Sequence, residues 1–224
     1  MSRSLIVIAA LSIFLAAYFY LHGSPPGEVE ESRLYPWQVS GPGAGETEVF
    51  GIVLNHTTTR QAMLLLDREP EIVLYERNGH FSLEAYFGKI SAGGVTGKLI
   101  AVLAAPAGWS ERSAEHAVKT ERVIEGGTKG ILRSGAYRTA RSFPIISLTY
   151  IPSIRLDRAI VENRFGPPET IITSDDGRSH FGYESRGVII SLDPSGKSII
   201  SYMPLKDYRP AMKRLQKGER KNDG

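Results

Sequence analysis

From Arg60 onward the chain echoes itself at an offset of about 100 residues, and a repeat of that length restricts the fold more than any single motif does. Arg60, Pro70, Glu71 and Gly79 recur as Arg158, Pro168, Glu169 and Gly177. After a short insertion, His80, Phe81 and Glu84 recur as His180, Phe181 and Glu184. Further on, Gly97 and Lys98 lead an apolar run that ends at Pro106, and Gly196 and Lys197 lead one that ends at Pro204. One order of matches implies one order of elements, built twice.

Each copy opens with a helix signal. Thr58 followed by Gln61 is a capping-box pattern before residues 62–66, and Leu156, Ala159 and Ile160 make an i, i+3, i+4 apolar stripe. Strand signals follow in copy one at residues 71–75, at residues 81–87, where Phe81, Leu83, Ala85 and Phe87 alternate with polar neighbours, and at residues 99–104. Copy two predicts strands over residues 170–173, 179–183, 188–192 and 198–203, with Asp176-Gly177 and Pro194-Ser195-Gly196 as hairpin turns. A short amphipathic helix and a one-sided sheet each need a partner surface, so helix-on-sheet packing is expected. Residues 110–123 predict a connecting helix, and Gly126, Gly127 and Gly130 a flexible joint behind it.

The start of the chain has a different character. Residues 5–21 read LIVIAALSIFLAAYFYL, with Ser12 the only clearly polar residue, near the lower length limit for crossing a hydrocarbon core of roughly 30 Å. Arg3 precedes the run and Glu28, Glu30 and Glu31 follow it, which predicts an N-terminus in the cytoplasm and a body in the periplasm. A cleaved signal peptide is the alternative, but bulky Tyr18, Phe19, Tyr20 and Leu21 occupy the place of a small-x-small cleavage site. Residues 24–36, with Pro25, Pro26 and Pro36, suit an extended tether. The expected organisation is an anchor over 1–23, a tether over 24–36, a first module over 37–106, a connector over 107–145, a second module over 146–205 and a basic tail over 206–224. The fold class expected is α+β: an N-terminal transmembrane helix, then two tandem helix-on-antiparallel-sheet modules.

Composition removes several chemistries. The chain has no cysteine, so disulfides, thiolate metal sites, a cysteine nucleophile and a lipidated cysteine anchor are all excluded. The net charge of +3 is small and concentrates near the end, at Lys206, Arg209, Lys213, Arg214, Lys217, Arg220 and Lys221. Export would remove that tail from most nucleic acid. A short amphipathic turn over 210–215 could meet anionic lipid, and a frayed solvated terminus is the simpler expectation.

Residues 158–168, RAIVENRFGPP, resemble the helix-then-Phe-Gly-x-Pro step of SmpA/BamE-like envelope lipoproteins, small modules of helices on a three-stranded antiparallel sheet. Copy one departs from that pattern: Asp67-Arg68-Glu69-Pro70 keeps the proline without the glycine, and Asn55-His56-Thr57 replaces the usual Gly-x-Thr/Ser opening. With YPW at 35–37, SLEAYF at 82–87 and SLTYIP at 147–152, the chain as a whole is also similar to membrane-anchored envelope proteins of Gram-negative bacteria. The resemblance implies a periplasmic binding or scaffolding role with no catalytic residues to carry over. Lacking the lipidated cysteine, the chain is not expected to serve outer-membrane protein assembly.

The candidate site residues are two His/Glu pairs, His80/Glu84 and His180/Glu184, which at i, i+4 on a helix could share a metal. On strands they stand roughly 13 Å apart and read as a solvated face. Residues 93–99, GGVTGKL, lack the first glycine and the final Ser/Thr of a phosphate loop and read as a hairpin turn. Residues 41–45, GPGAG, follow no strand and read as a loop rather than a dinucleotide fingerprint. No Gly-x-Ser-x-Gly elbow marks a serine. No catalytic, cofactor or metal residues are therefore assigned. The expected partner is a protein of the cell envelope, reached from the inner membrane across a tether of at most roughly 40 Å. An envelope hydrolase with a spatially assembled site is the alternative.

Overall fold

The computed structural model describes residues 35–216 apart from 42, 44 and 123–126, and these fall in one compact unit. The expected anchor over residues 5–21 and most of the tether lie outside the described residues. Among the described residues no helix is long and apolar enough to cross a membrane.

The strands are β1 (Glu48–Val49), β2 (Ile52–Val53), β3 (Glu71–Arg77), β4 (His80–Ala92), β5 (Val95–Leu103), β6 (Lys119–Arg122), β7 (Thr128–Ile131), β8 (Ile145–Pro152), β9 (Thr170–Thr173), β10 (Ser179–Tyr183), β11 (Val188–Leu192) and β12 (Ser198–Tyr202). The helices are α1 (Thr59–Leu66), α2 (Trp109–Glu115), α3 (Ser134–Ala140), α4 (Arg158–Phe165) and α5 (Leu205–Gln216). Apart from the small β1–β2 hairpin, all strands join one ten-stranded sheet in the order β6-β7-β3-β4-β5-β8-β12-β11-β10-β9. Every pairing in it is antiparallel.

That continuity overturns the expectation of two tandem helix-on-antiparallel-sheet modules: the fold is α+β, but both copies build a single sheet. The last strand of each copy, β5 and β12, pairs with β8, which lies between them. A row of inward residues then runs across seven strands in register: Tyr183, Val188, Tyr202, Leu148, Ala101, Ala85 and Ile72. All seven are at most 2% exposed, so two separate cores would require a break that the row does not have. Tyr202 donates its hydroxyl to Pro36 O at 2.7 Å, and Tyr183 donates to Gly166 O at 3.0 Å, so neither ring buries an unmet polar group.

The β1–β2 hairpin drives Phe50 into this inner face, with ring centroids 5.6 Å from Tyr150 and 5.8 Å from Tyr202. Phe50 has φ of 56°, a left-handed conformation that disfavours a bulky side chain. Complete burial of the ring offsets that strain, and Gly51 completes the turn with φ of 72°. Sequence patterning gave no strand here.

Three further expectations need correction. The connecting helix stops at Glu115, and residues 119–122 instead form β6. Gly130, expected in a flexible joint, sits inside β7 opposite Leu74 and Thr120. The tail is not frayed as far as Gln216: it forms α5, with Tyr208 and Met212 buried against Ile189 on the outer face of the sheet. Gly182 on β10 permits this approach, since any Cβ there would overlap the Tyr208 hydroxyl.

Candidate functional site

An opening lies on the inner face beside α4, and the helix sequence explains it. Asp157 caps α4 by accepting from Ile160 N at 2.8 Å, and Arg158 pairs with Glu162 at 2.7 Å one turn along. The helix ends at Gly166, whose φ is 80°, and Pro167 and Pro168 follow. The residues α4 buries are Val161 and Phe165, spaced i, i+4, with Phe165 5.8 Å from the Tyr183 ring. Of the predicted stripe, Leu156 packs against the edge of the core, but Ala159 and Ile160 do not seal it. All three line a groove, where Ile160 is 38% exposed.

The groove encloses about 490 Å³. Its floor is Val95, Tyr150 and Ile200 from three strands; its rim includes Pro36, Trp37, Ile154 and Arg164. Tyr150 donates to Val95 O at 2.8 Å, and burial pushes its hydroxyl up to about 12, so the phenol stays protonated. Arg164 stacks over Trp37 at 4.7 Å, and Tyr35 leans on Trp37 at 5.1 Å, so an aromatic wall closes one side. Ile154 is 47% exposed at the opening. Among the described lining residues, Asp157 is occupied with capping and Arg164 with Trp37, and no histidine or serine is present. A cavity of this lining holds hydrocarbon or aromatic groups by exclusion of water, and offers a cation and an amide, Arg164 and Asn163, at its edge.

The sequence-selected pairs fall elsewhere. His80 is exposed at the start of β4, whereas Glu84 is half-buried on the outer face, accepting from Ser82 Oγ at 3.0 Å; burial raises its carboxyl above the usual range. His180 departs from the solvated-face expectation, being 2% exposed. Its Nδ1 lies 2.7 Å from Ser191 Oγ and its Nε2 3.0 Å from Ser174 Oγ. Glu184 is in a 3-10 turn after β10 and pairs with Arg209 at 2.6 Å. Neither pair converges on a common point, and among the described residues no group of three or more His, Asp or Glu gathers to hold a metal.

Gly93 and Gly94 form the β4–β5 turn with φ of 58° and 76°, in agreement with a hairpin reading of GGVTGKL. Of the 41–45 loop, Gly41, Gly43 and Gly45 are described and lie between Ser40 and β1. The groove escaped sequence reading because its walls come from residues 36–37, 95, 150–165 and 200. The one available signal was Ile160 itself, which a stripe of period 3.6 places one step off the Val161–Phe165 face.

No protein-family model matches the chain, and comparisons with curated proteins and with solved structures return no match.

Proposed function

We propose that the protein is a binding module of the cell envelope that holds an apolar segment of a partner protein in the groove beside α4. The observation that carries this reading is the open apolar lining, with Ile154 at 47% and Ile160 at 38% exposure beside an aromatic wall. Solvated apolar residues gathered in one concavity gain free energy on being covered, at about 25 cal/mol for each Å² removed from water. The apolar run at residues 5–21 and the resemblance to envelope proteins support a location at the inner membrane with the body in the periplasm. A periplasmic reporter fused after Gly224 is then active, and an active cytoplasmic reporter there refutes the location.

Binding is tested with a photo-crosslinking amino acid placed at Ile154 or Ile160 of the full chain in cells, with Leu64, 81% exposed on α1, as the control position. The groove positions give a discrete protein adduct that Ala159→Arg, which fills the groove, removes. No adduct, or the same adducts from Leu64, rejects the reading. Reproducible hydrolytic turnover by the purified chain without any adduct favours the hydrolase alternative.

A further inference from the structure

A second opening lies on the opposite face of the sheet, where α5 crosses β10, β11 and β12. Alternation along the strands separates the two: Phe181, Ile190 and Ile200 point to the inner core, whereas His180, Ile189, Ser191 and Ile199 lie on the outer side with Met203. The crevice holds about 280 Å³. One wall is hydrocarbon, from Ile189, Ile199 and Met203 on the sheet and Ala211 and Leu215 on α5. The rest is polar, with the guanidiniums of Arg178 and Arg214 and the side chains of His180, Ser191 and Ser201.

We infer that this crevice binds an anionic amphiphile, a single short alkyl chain carrying a carboxylate or phosphate head. Charge is the first argument. Two arginines line the space and no carboxylate does. Arg178 is paired with Asp176 at 3.4 Å and Asp193 at 3.2 Å, so its charge is already met, while Arg214 makes no ion pair among the described residues. An exposed guanidinium without an acidic partner at the mouth of a cavity is a ready oxyanion contact.

The polar floor is preorganised. Ser174 and Ser191 engage both ring nitrogens of His180, which fixes the ring in the floor. Burial depresses the imidazole, on which the charges of Asp176 and Arg178 also act, so near neutral pH His180 is uncharged and the unmet positive charge of the site is that of Arg214. The apolar wall decides between a bare anion and an amphiphile. A small inorganic ion would satisfy Arg214 and leave Leu215, Ile199 and Met203 wet, whereas an alkyl chain covers them. Size decides between one chain and two, because the volume sits at the lower limit of ligand cavities, roughly 300 Å³.

The test uses the purified full-length chain and three probes: decanoate, decanol and inorganic phosphate. Binding is read from the Met203 methyl and the His180 ring by NMR, two groups on the face away from the groove. Decanoate shifts both signals saturably; decanol and phosphate each bind at least tenfold more weakly. Arg214→Gln, at an exposed position where the fold is retained and an unchanged melting temperature confirms it, weakens decanoate by about tenfold, or about 1.4 kcal/mol, and leaves decanol unchanged. Decanol binding as tightly as decanoate, phosphate matching decanoate, or an unaltered decanoate affinity in the variant each overturns the inference.

Discussion

The helices that follow β5 and β12 come after equivalent apolar runs ending in Pro106 and Pro204, yet they go to opposite faces of the sheet. In the first half, α2 folds to the inner core, where Trp109 meets Phe143 edge-on at 5.0 Å. In the second half, α5 folds to the outer face and buries Ile189 with Tyr208 and Met212. The consequence is visible in the matched histidines. His80 is exposed, whereas His180 is 2% exposed and hydrogen-bonded through both nitrogens. Equivalent sequence positions therefore gave similar strands and different chemistry, because chemistry depends on what covers a strand and the covering elements lie outside the echo.

The sharpest way to break the comparison is to ask whether the halves are energetically separate. Leu148 on β8 touches both through its pairs with Ala101 and Tyr202. Leu148→Ala lowers stability by about 2–5 kcal/mol. In hydrogen exchange, β4 and β11 lose protection together, as one sheet requires. Loss confined to one half would restore two modules. A smaller effect comes from Met212→Ala, about 2 kcal/mol for a side chain 8% exposed at the edge of the outer cluster. That change loosens the cover over His180 and raises the pKa of the imidazole toward its ordinary value, which NMR titration reads. An unmoved His180 would mean that the strands rather than α5 shelter it.

The caps allow a third comparison. Thr58 accepts from Gln61 N at 3.3 Å, with Gln61 Oε1 accepting from Thr58 N at 2.8 Å, and Asp157 caps α4 alone. Thr58→Ala and Asp157→Ala each cost about 1 kcal/mol in urea unfolding. A cost at one helix only would show that the other is held by its neighbours and not by its cap.

These local features are the part the sequence made legible. The capping box, the Asp176-Gly177 and Pro194–Gly196 turns and strands β9, β10 and β11 depend on neighbours within a few residues, and patterning located them. What it did not reveal is non-local. The insertion of β8 between the copies, the entry of β6 and β7 into the sheet and the burial of Phe50 are fixed by pairing partners tens of residues away. Ile160 was misassigned because two apolar stripes overlap on α4, and only the sheet beneath selects Val161 and Phe165. His180 alternates with inward residues as a solvated side chain would, yet it is 2% exposed, bonded to Ser174 and Ser191 in the crevice that α5, read as a tail, helps to wall. Both openings are products of this non-local packing, so no local motif announced them.

The smallest predicted effect tests the two halves by pH. Burial raises the Glu84 carboxyl on β4, an effect that the bond from Ser82 only partly opposes. A raised carboxyl means that the folded chain holds the proton more tightly than the unfolded chain. Ionised Glu84 therefore weakens the fold at neutral pH, and its contribution improves as pH falls through the raised folded value toward 4.5. His180 has the opposite sign: its depressed value means that stability is complete above 6.5 and declines as pH falls below it toward the folded value. Glu84→Gln consequently stabilises the protein at pH 7 by less than about 1 kcal/mol, since the group is only half-buried and screened, and the gain disappears near pH 4. His180→Gln, compared with the parent across the same range, removes the decline on the acid side of 6.5. Urea midpoints measured from pH 4 to pH 8 separate the two. If Glu84→Gln gives the same shift at both ends of the range, the carboxyl is solvated in the folded chain, and the outer face of the first half is more open than its burial indicates.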